Sequence, residues 1–198
     1  MASSQGFWTS VANASDPKRK FRFLVTIGSM PDGATWYSKS INKPTVTIAE
    51  ATHKFLNHTF HYPGSVTWNE ITATLVDPVS PDAAVNLSRI IKESGYHPPV
   101  DVNDTTTISK STAVAALQSV VISQINSGGA PMETWTLVNA FITEVDYGGE
   151  LSYDGDDLAE ISVKFRYDWA SIETFHKADS GPSGAPGKNR YWMPGQSG

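Results

Sequence analysis

Apolar and polar residues alternate through much of the chain, and that period of two predicts strands. The clearest case is Leu158 to Trp169, where Ala159, Ile161, Val163, Phe165, Tyr167 and Trp169 interleave with Glu160, Ser162, Lys164, Arg166 and Asp168. Phe21 to Ile27 reads the same way and leads through Gly28 to a turn at Pro31-Asp32-Gly33. Further strands are expected at Trp36 to Ile41, Thr45 to Ile48, Lys54 to Tyr62 and Val66 to Val76, with Pro63-Gly64 separating the last two. In the last, the apolar phase switches near Asn69-Glu70, as a bulge or burial on both faces would produce. Thr112 to Ile125 and Glu133 to Tyr147 read as two more long strands, joined by a Gly-rich turn.

One segment has a helical period instead. Ala84, Leu87, Ile90 and Ile91 form a stripe at three- and four-residue spacing, with Ser80 placed to cap, Pro81 at the first helical position and Gly95 at the end. The fold class expected is therefore mainly β: an antiparallel sandwich or barrel with one flanking α-helix (about 80–94) and an extended C-terminal arm. Residues 1–20 form a lead segment, 21–175 the β domain and 176–198 a Gly/Pro-rich arm.

Two features point outward. Val121 in one long strand, and Val138 and Phe141 in the other, put apolar side chains on parities that a single covered face would leave wet. They are candidates for a subunit interface. Tyr191 and Trp192 stand in the otherwise polar arm and are candidates for docking it on a neighbour.

Composition narrows the function. With 198 residues, 39% hydrophobic and 18% charged, the chain suits one domain with a substantial core. The absence of cysteine excludes disulfides, thiolate metal sites and a cysteine nucleophile. No segment has the length of a membrane span or the layout of a signal peptide, so no membrane insertion is expected and the Asn-x-Ser/Thr triplets are read as chance. A net charge of −5 is unlike a protein that grips phosphates, and Lys18-Arg19-Lys20 is read as a solvated lead-in.

No phosphate loop, dinucleotide fingerprint, nucleophile elbow or zinc-protease motif occurs. His53, His58 and His61 share a segment, but along one regular strand the outer two stand about 26 Å apart at ~3.3 Å per residue. Asp154 to Asp157 lacks the spacing of a calcium loop and is read as a turn. The expectation is no catalytic residue, no metal and no cofactor. Six tryptophans and seven tyrosines leave a carbohydrate-binding sandwich as a reading from another class, although most of them fall at core parities.

Several stretches in order resemble the tail tube proteins of contractile-tailed phages. They are Phe21 to Gly28, His58 to Gly64 followed by Val66 to Pro78, the helix after Ser80, and Asn139 to Ile142 through Tyr147-Gly148-Gly149 to Trp169. The resemblance covers roughly residues 21–172. It implies a structural protein, not an enzyme, that forms homo-hexameric rings stacked head to tail around a channel. Genomic DNA and a tape-measure protein would pass through without specific binding. Sheath, baseplate and tail-terminator proteins would be its partners, and the virion tail, assembled in the host cytoplasm, its location. A baseplate protein that initiates the tube and a type VI-like secreted ring protein are alternatives on the same fold. Within this frame, residues 49–64 are the candidate contact between rings, through His53, Phe55, Leu56, His58, Phe60 and Tyr62.

Overall fold

The computed structural model describes residues 17–30, 37–149, 151–154, 156–176 and 187–192. The expected turn at Pro31-Asp32-Gly33, the start of the Trp36 strand, most of the lead segment and much of the C-terminal arm lie outside them.

The alternating segments form two facing antiparallel sheets and a separate hairpin. The first sheet contains β1 (Phe23–Ile27), β6 (Val120–Ile125), β7 (Pro131–Val138), β10 (Trp169–His176) and β11 (Gly187–Tyr191), hydrogen-bonded in the order β1-β6-β7-β10-β11. The second contains β2 (Ser38–Ile41), β5 (Ile71–Val76), β8 (Phe141–Asp146) and β9 (Glu160–Arg166), in the order β2-β5-β9-β8. Neither closes on itself, so each sheet keeps two edges. The remaining pair, β3 (Val46–Phe55) and β4 (His58–Trp68), is a two-stranded ribbon of its own.

The core lies between the sheets. Ile71, Ala73 and Leu75 of β5 and Ile161, Val163 and Phe165 of β9 face Val25, Ile27, Val120, Ile122 and Leu137, all 3% exposed or less. Alternation puts Thr72, Thr74, Ser162 and Lys164 on the outward face of the second sheet. The helix α1 (Ala83–Glu93) buries Ala83, Leu87 and Ile90 in the same core. Its cap is Asp82, whose carboxylate accepts from the Val85 N–H at 2.8 Å, and not Ser80 as the sequence suggested. An aspartate one residue inside the proline can meet the exposed N–H groups of the first turn.

A second helix corrects the expected single one. Residues read as the start of a Thr112–Ile125 strand instead form α2 (Lys110–Leu117), and the strand begins only at Val120. Ser109 and Thr112 close a reciprocal capping box that favours the helix. Its buried residues are Ala113, Ala116 and Leu117, two of them too small to give an apolar stripe, so the β-branched neighbours dominated the sequence signal.

Three other expected strands divide where the chain crosses between sheets. Glu133–Tyr147 breaks at Asn139, which has φ 54° and donates to Asp168 at 2.7 Å. Leu158–Trp169 breaks at Tyr167-Asp168, and Lys110 donates to the same carboxylate. Val66–Val76 breaks at Asn69-Glu70, so the phase switch is a change of sheet and not a bulge. Asp168 thus ties both crossings and α2 to one point, and the Lys110 and Asn139 hydrogen bonds hold its carboxyl below the usual range.

Candidate assembly surfaces

The β3–β4 ribbon is the most exposed regular element of the described chain. Every residue of β3 and all of β4 except Trp68 are solvent-exposed. A lone two-stranded ribbon is at best marginally stable in water. This one nevertheless carries Val46, Ile48, Phe55, Leu56, Phe60, Tyr62 and Val66 as large exposed apolar side chains.

Pairing organises them. Ala51 faces Tyr62, His53 faces Phe60 and Phe55 faces His58, so five of the six candidate contact residues share one face. The sixth, Leu56, occupies the turn with φ 53° and is 80% exposed. His58 packs edge-on to Phe60 with ring centroids 4.7 Å apart. The opposite face carries Thr52, Lys54, Thr59 and His61, and His61 meets Glu50 at 2.5 Å.

Pro63-Gly64, expected to separate two strands, lies inside β4. The register shifts between Ile48 and Glu50, giving β4 one extra residue there. Gly64 lets the strands approach closely here: a Cβ would stand 3.0 Å from the Ala49 carbonyl oxygen, and that backbone would have to give by a few tenths of an ångström. Beyond the shift, Val46, Ile48, Val66 and Trp68 turn their apolar side chains to the face opposite the aromatic one. Each face of the ribbon is therefore apolar over half its length.

The hairpin also changes the histidine geometry. The turn at Leu56-Asn57 folds the segment back, so His53 and His61 sit on neighbouring strands and not at opposite ends of one. They point to opposite faces, and among the described residues no group of His, Asp and Glu could hold a metal ion.

The other candidates do not form one patch. Val121 and Val138 are half-buried on the outward face of the first sheet, while Phe141 is half-buried on β8, near Ile108 and Lys110. Tyr191 and Trp192 lie at the end of β11, each more than half exposed. Trp192 stands 5.6 Å from Trp68 and 6.5 Å from Trp135, placing the described end of the arm against the ribbon root.

Sequence reasoning missed the polar anchor of that root. Glu133 lies on the inward face of β7 and is 6% exposed. It accepts hydrogen bonds from Lys18, from Lys43 at 2.6 Å and from the Trp135 indole N–H at 2.6 Å. Burial pushes its carboxyl up, but the two lysines and the indole together outweigh this and hold it at about 2. The available signal was parity, since Glu133 is in phase with Trp135 and Leu137. A carboxyl lowered by folding stabilises the protein above its ordinary range and loses that contribution as pH falls towards 2. Glu133→Gln is expected to cost about 2 kcal/mol at pH 7, discounted for half-exposed lysine partners, and less at pH 3. Urea titrations of both proteins at the two pH values check this.

Lys43 and Lys18 also border a cleft of about 880 Å³ between the facing edges β1 and β2. Phe23, Ile41, Ile122 and Trp135 form its apolar part, and Lys20 and Lys39 add further positive charge.

No protein-family model matches the chain, and no curated protein matches it. Solved structures do. A chain of the extended sheath-tube complex of the PVC extracellular contractile injection system aligns over 84% of this chain and 99% of its own, with 18% identity and TM-score 0.57. A chain of the six-fold symmetrised anti-feeding prophage baseplate aligns over 80% and 96%, with 16% identity and TM-score 0.57. A chain of the tube-terminating cap of the same prophage aligns over 81% and 93%, with 17% identity and TM-score 0.57. At these identities the alignments show a shared fold: most of this chain folds as do chains from the sheath-tube, baseplate and cap assemblies of contractile injection systems.

Proposed function

We propose that the protein is a structural subunit of a tail tube, forming hexameric rings that stack head to tail around a channel. The observation that carries this reading is the β3–β4 ribbon, whose apolar residues are exposed on both faces and need cover from other copies. The ribbon tip, through His53, Phe55, Leu56, His58, Phe60 and Tyr62, is then the contact with the next ring.

The four-stranded sheet suits the channel wall. Its edges β2 and β8 run antiparallel, so β8 of one copy can lie beside β2 of the next and remove both edges. Six such sheets far exceed the roughly 16 strands at which barrels leave an aqueous channel. The outward face offers Thr72, Thr74 and Ser162, with Lys164 paired to Glu144 at 2.7 Å and Lys39 paired to Glu160. A surface whose lysines are paired internally and which also carries Asp146 offers DNA phosphates little to adhere to, as passage of a genome requires.

Sheath, baseplate and terminator proteins follow as partners, and a virion tail as the location. The likeness to baseplate and cap chains favours a second reading, a tube-initiating or tube-ending ring with the same contacts. Negative-stain microscopy of the purified protein separates the two. Long hollow filaments are expected for a tube subunit and isolated rings for an initiator. A dispersed monomer that binds glycans would overturn both.

A further inference from the structure

The link from β8 to β9 has an unusual surface. Leu151, Tyr153 and Leu158 are 92%, 107% and 70% exposed, and Asp154, Asp156 and Asp157 stand among them. An acidic turn alone is satisfied by water. Three large apolar side chains held in the same turn are not. Gly148 starts the excursion at φ 103°, where a Cβ would stand 2.7 Å from the Glu160 carbonyl oxygen.

The cleft between β1 and β2 has the opposite character. Its apolar part is bordered by four lysines; Glu133 pairs with Lys18 and Lys43 and Glu160 with Lys39, so two carboxylates offset half of their charge and the cleft stays net positive. No residue of the β8–β9 link lines the cleft in the same chain, although Asp157 and Glu160 act on Lys39 at one end.

Strand register relates the two. Asp146, the last residue of β8, is level with Ser162, which is level with Thr74 and then with Ser40 of β2. A β8 laid at matched register beside β2 of another copy would therefore deliver its following link next to Lys39, at one end of the cleft.

We infer that the acidic, apolar link of one copy docks into the β1/β2 cleft of the next. Tyr153 and its apolar neighbours meet Phe23, Ile41 and Trp135, while Asp154, Asp156 and Asp157 approach Lys20 and Lys39. The inference rests on the ring reading and adds to it a charge-coded lock between ring neighbours.

The lack of native cysteine provides a clean test. Tyr153→Cys and Asn42→Cys are prepared as separate full-length proteins, mixed, assembled and mildly oxidised. A disulfide-linked heterodimer is expected, several-fold more abundant than from Tyr153→Cys mixed with Ser127→Cys in the exposed β6–β7 turn. Introducing Asp154→Lys and Asp156→Lys beside Tyr153→Cys should remove the excess, and Lys20→Asp with Lys39→Asp beside Asn42→Cys should restore it. Rings seen by microscopy without excess crosslinking overturn the docking and leave the ring reading standing. If no oligomer forms, both fall. Rescue by the exchanged charges distinguishes a lost contact from a misfolded variant.

Discussion

Replacing Leu56 with aspartate is expected to stop ring stacking while leaving the subunit folded. Leu56 is 80% exposed in the subunit, at the tip of a ribbon that contributes little to the core. Its φ of 53° is a conformation that aspartate adopts more readily than leucine, so the turn itself should tolerate the change. Folding stability should stay within about 0.5 kcal/mol, as for surface substitutions away from special features. Assembly is another matter. Burying one leucine contributes about 2 kcal/mol, and a six-fold ring repeats the contact at every subunit. The lost attraction is then on the order of 12 kcal/mol per ring junction, before the cost of desolvating the new carboxylates. Sedimentation velocity and microscopy should show single rings or monomers, with the circular-dichroism spectrum of the folded subunit. Unaltered filaments would move the stacking contact away from the ribbon tip.

The complementary expectation is Phe165→Ala, which should damage folding itself. Phe165 is fully buried on β9, paired with Ile71 on one side and Ile142 on the other. Truncating such a ring typically costs about 3–5 kcal/mol, because the lost transfer energy adds to a cavity that the neighbours only partly fill. For a domain of this size, that corresponds to a fall in melting temperature of roughly 10 °C. Thermal denaturation in a background that does not stack, such as the Leu56 variant, measures it without interference from contacts between rings. A loss below about 1 kcal/mol would mean that the β9 face is not the centre of the core.

Phe165 and Leu56 differ in how visible they were. The burial of Phe165 follows from alternation with Ile161 and Val163, a local signal that survives in any sheet. Leu56 stood in a segment expected to be one strand, because Leu-Asn is not a dipeptide that announces a turn. The hairpin appears only when Phe55 pairs with His58 and the ribbon closes. Glu133 was hidden for a similar reason, since its partners Lys18 and Lys43 are 115 and 90 residues away.

Local patterns in the chain were enough to establish the β class, the existence of the helix α1, the polar and apolar faces of β9 and the apolar character of the ribbon segment. These depend on periods of two and 3.6 residues and on caps, which act over a few positions. The tertiary structure decided where long alternating runs break, because crossings at Asn69, Asn139 and Asp168 depend on which sheet each half joins. It also decided that the Lys110 segment is helical, although the β-branched run Val120-Val121-Ile122 follows after only two intervening residues. Finally, it placed the apolar residues of the ribbon outside the core. Hydrophobicity states that a side chain must be covered, but only the packed fold shows whether the chain covers it alone.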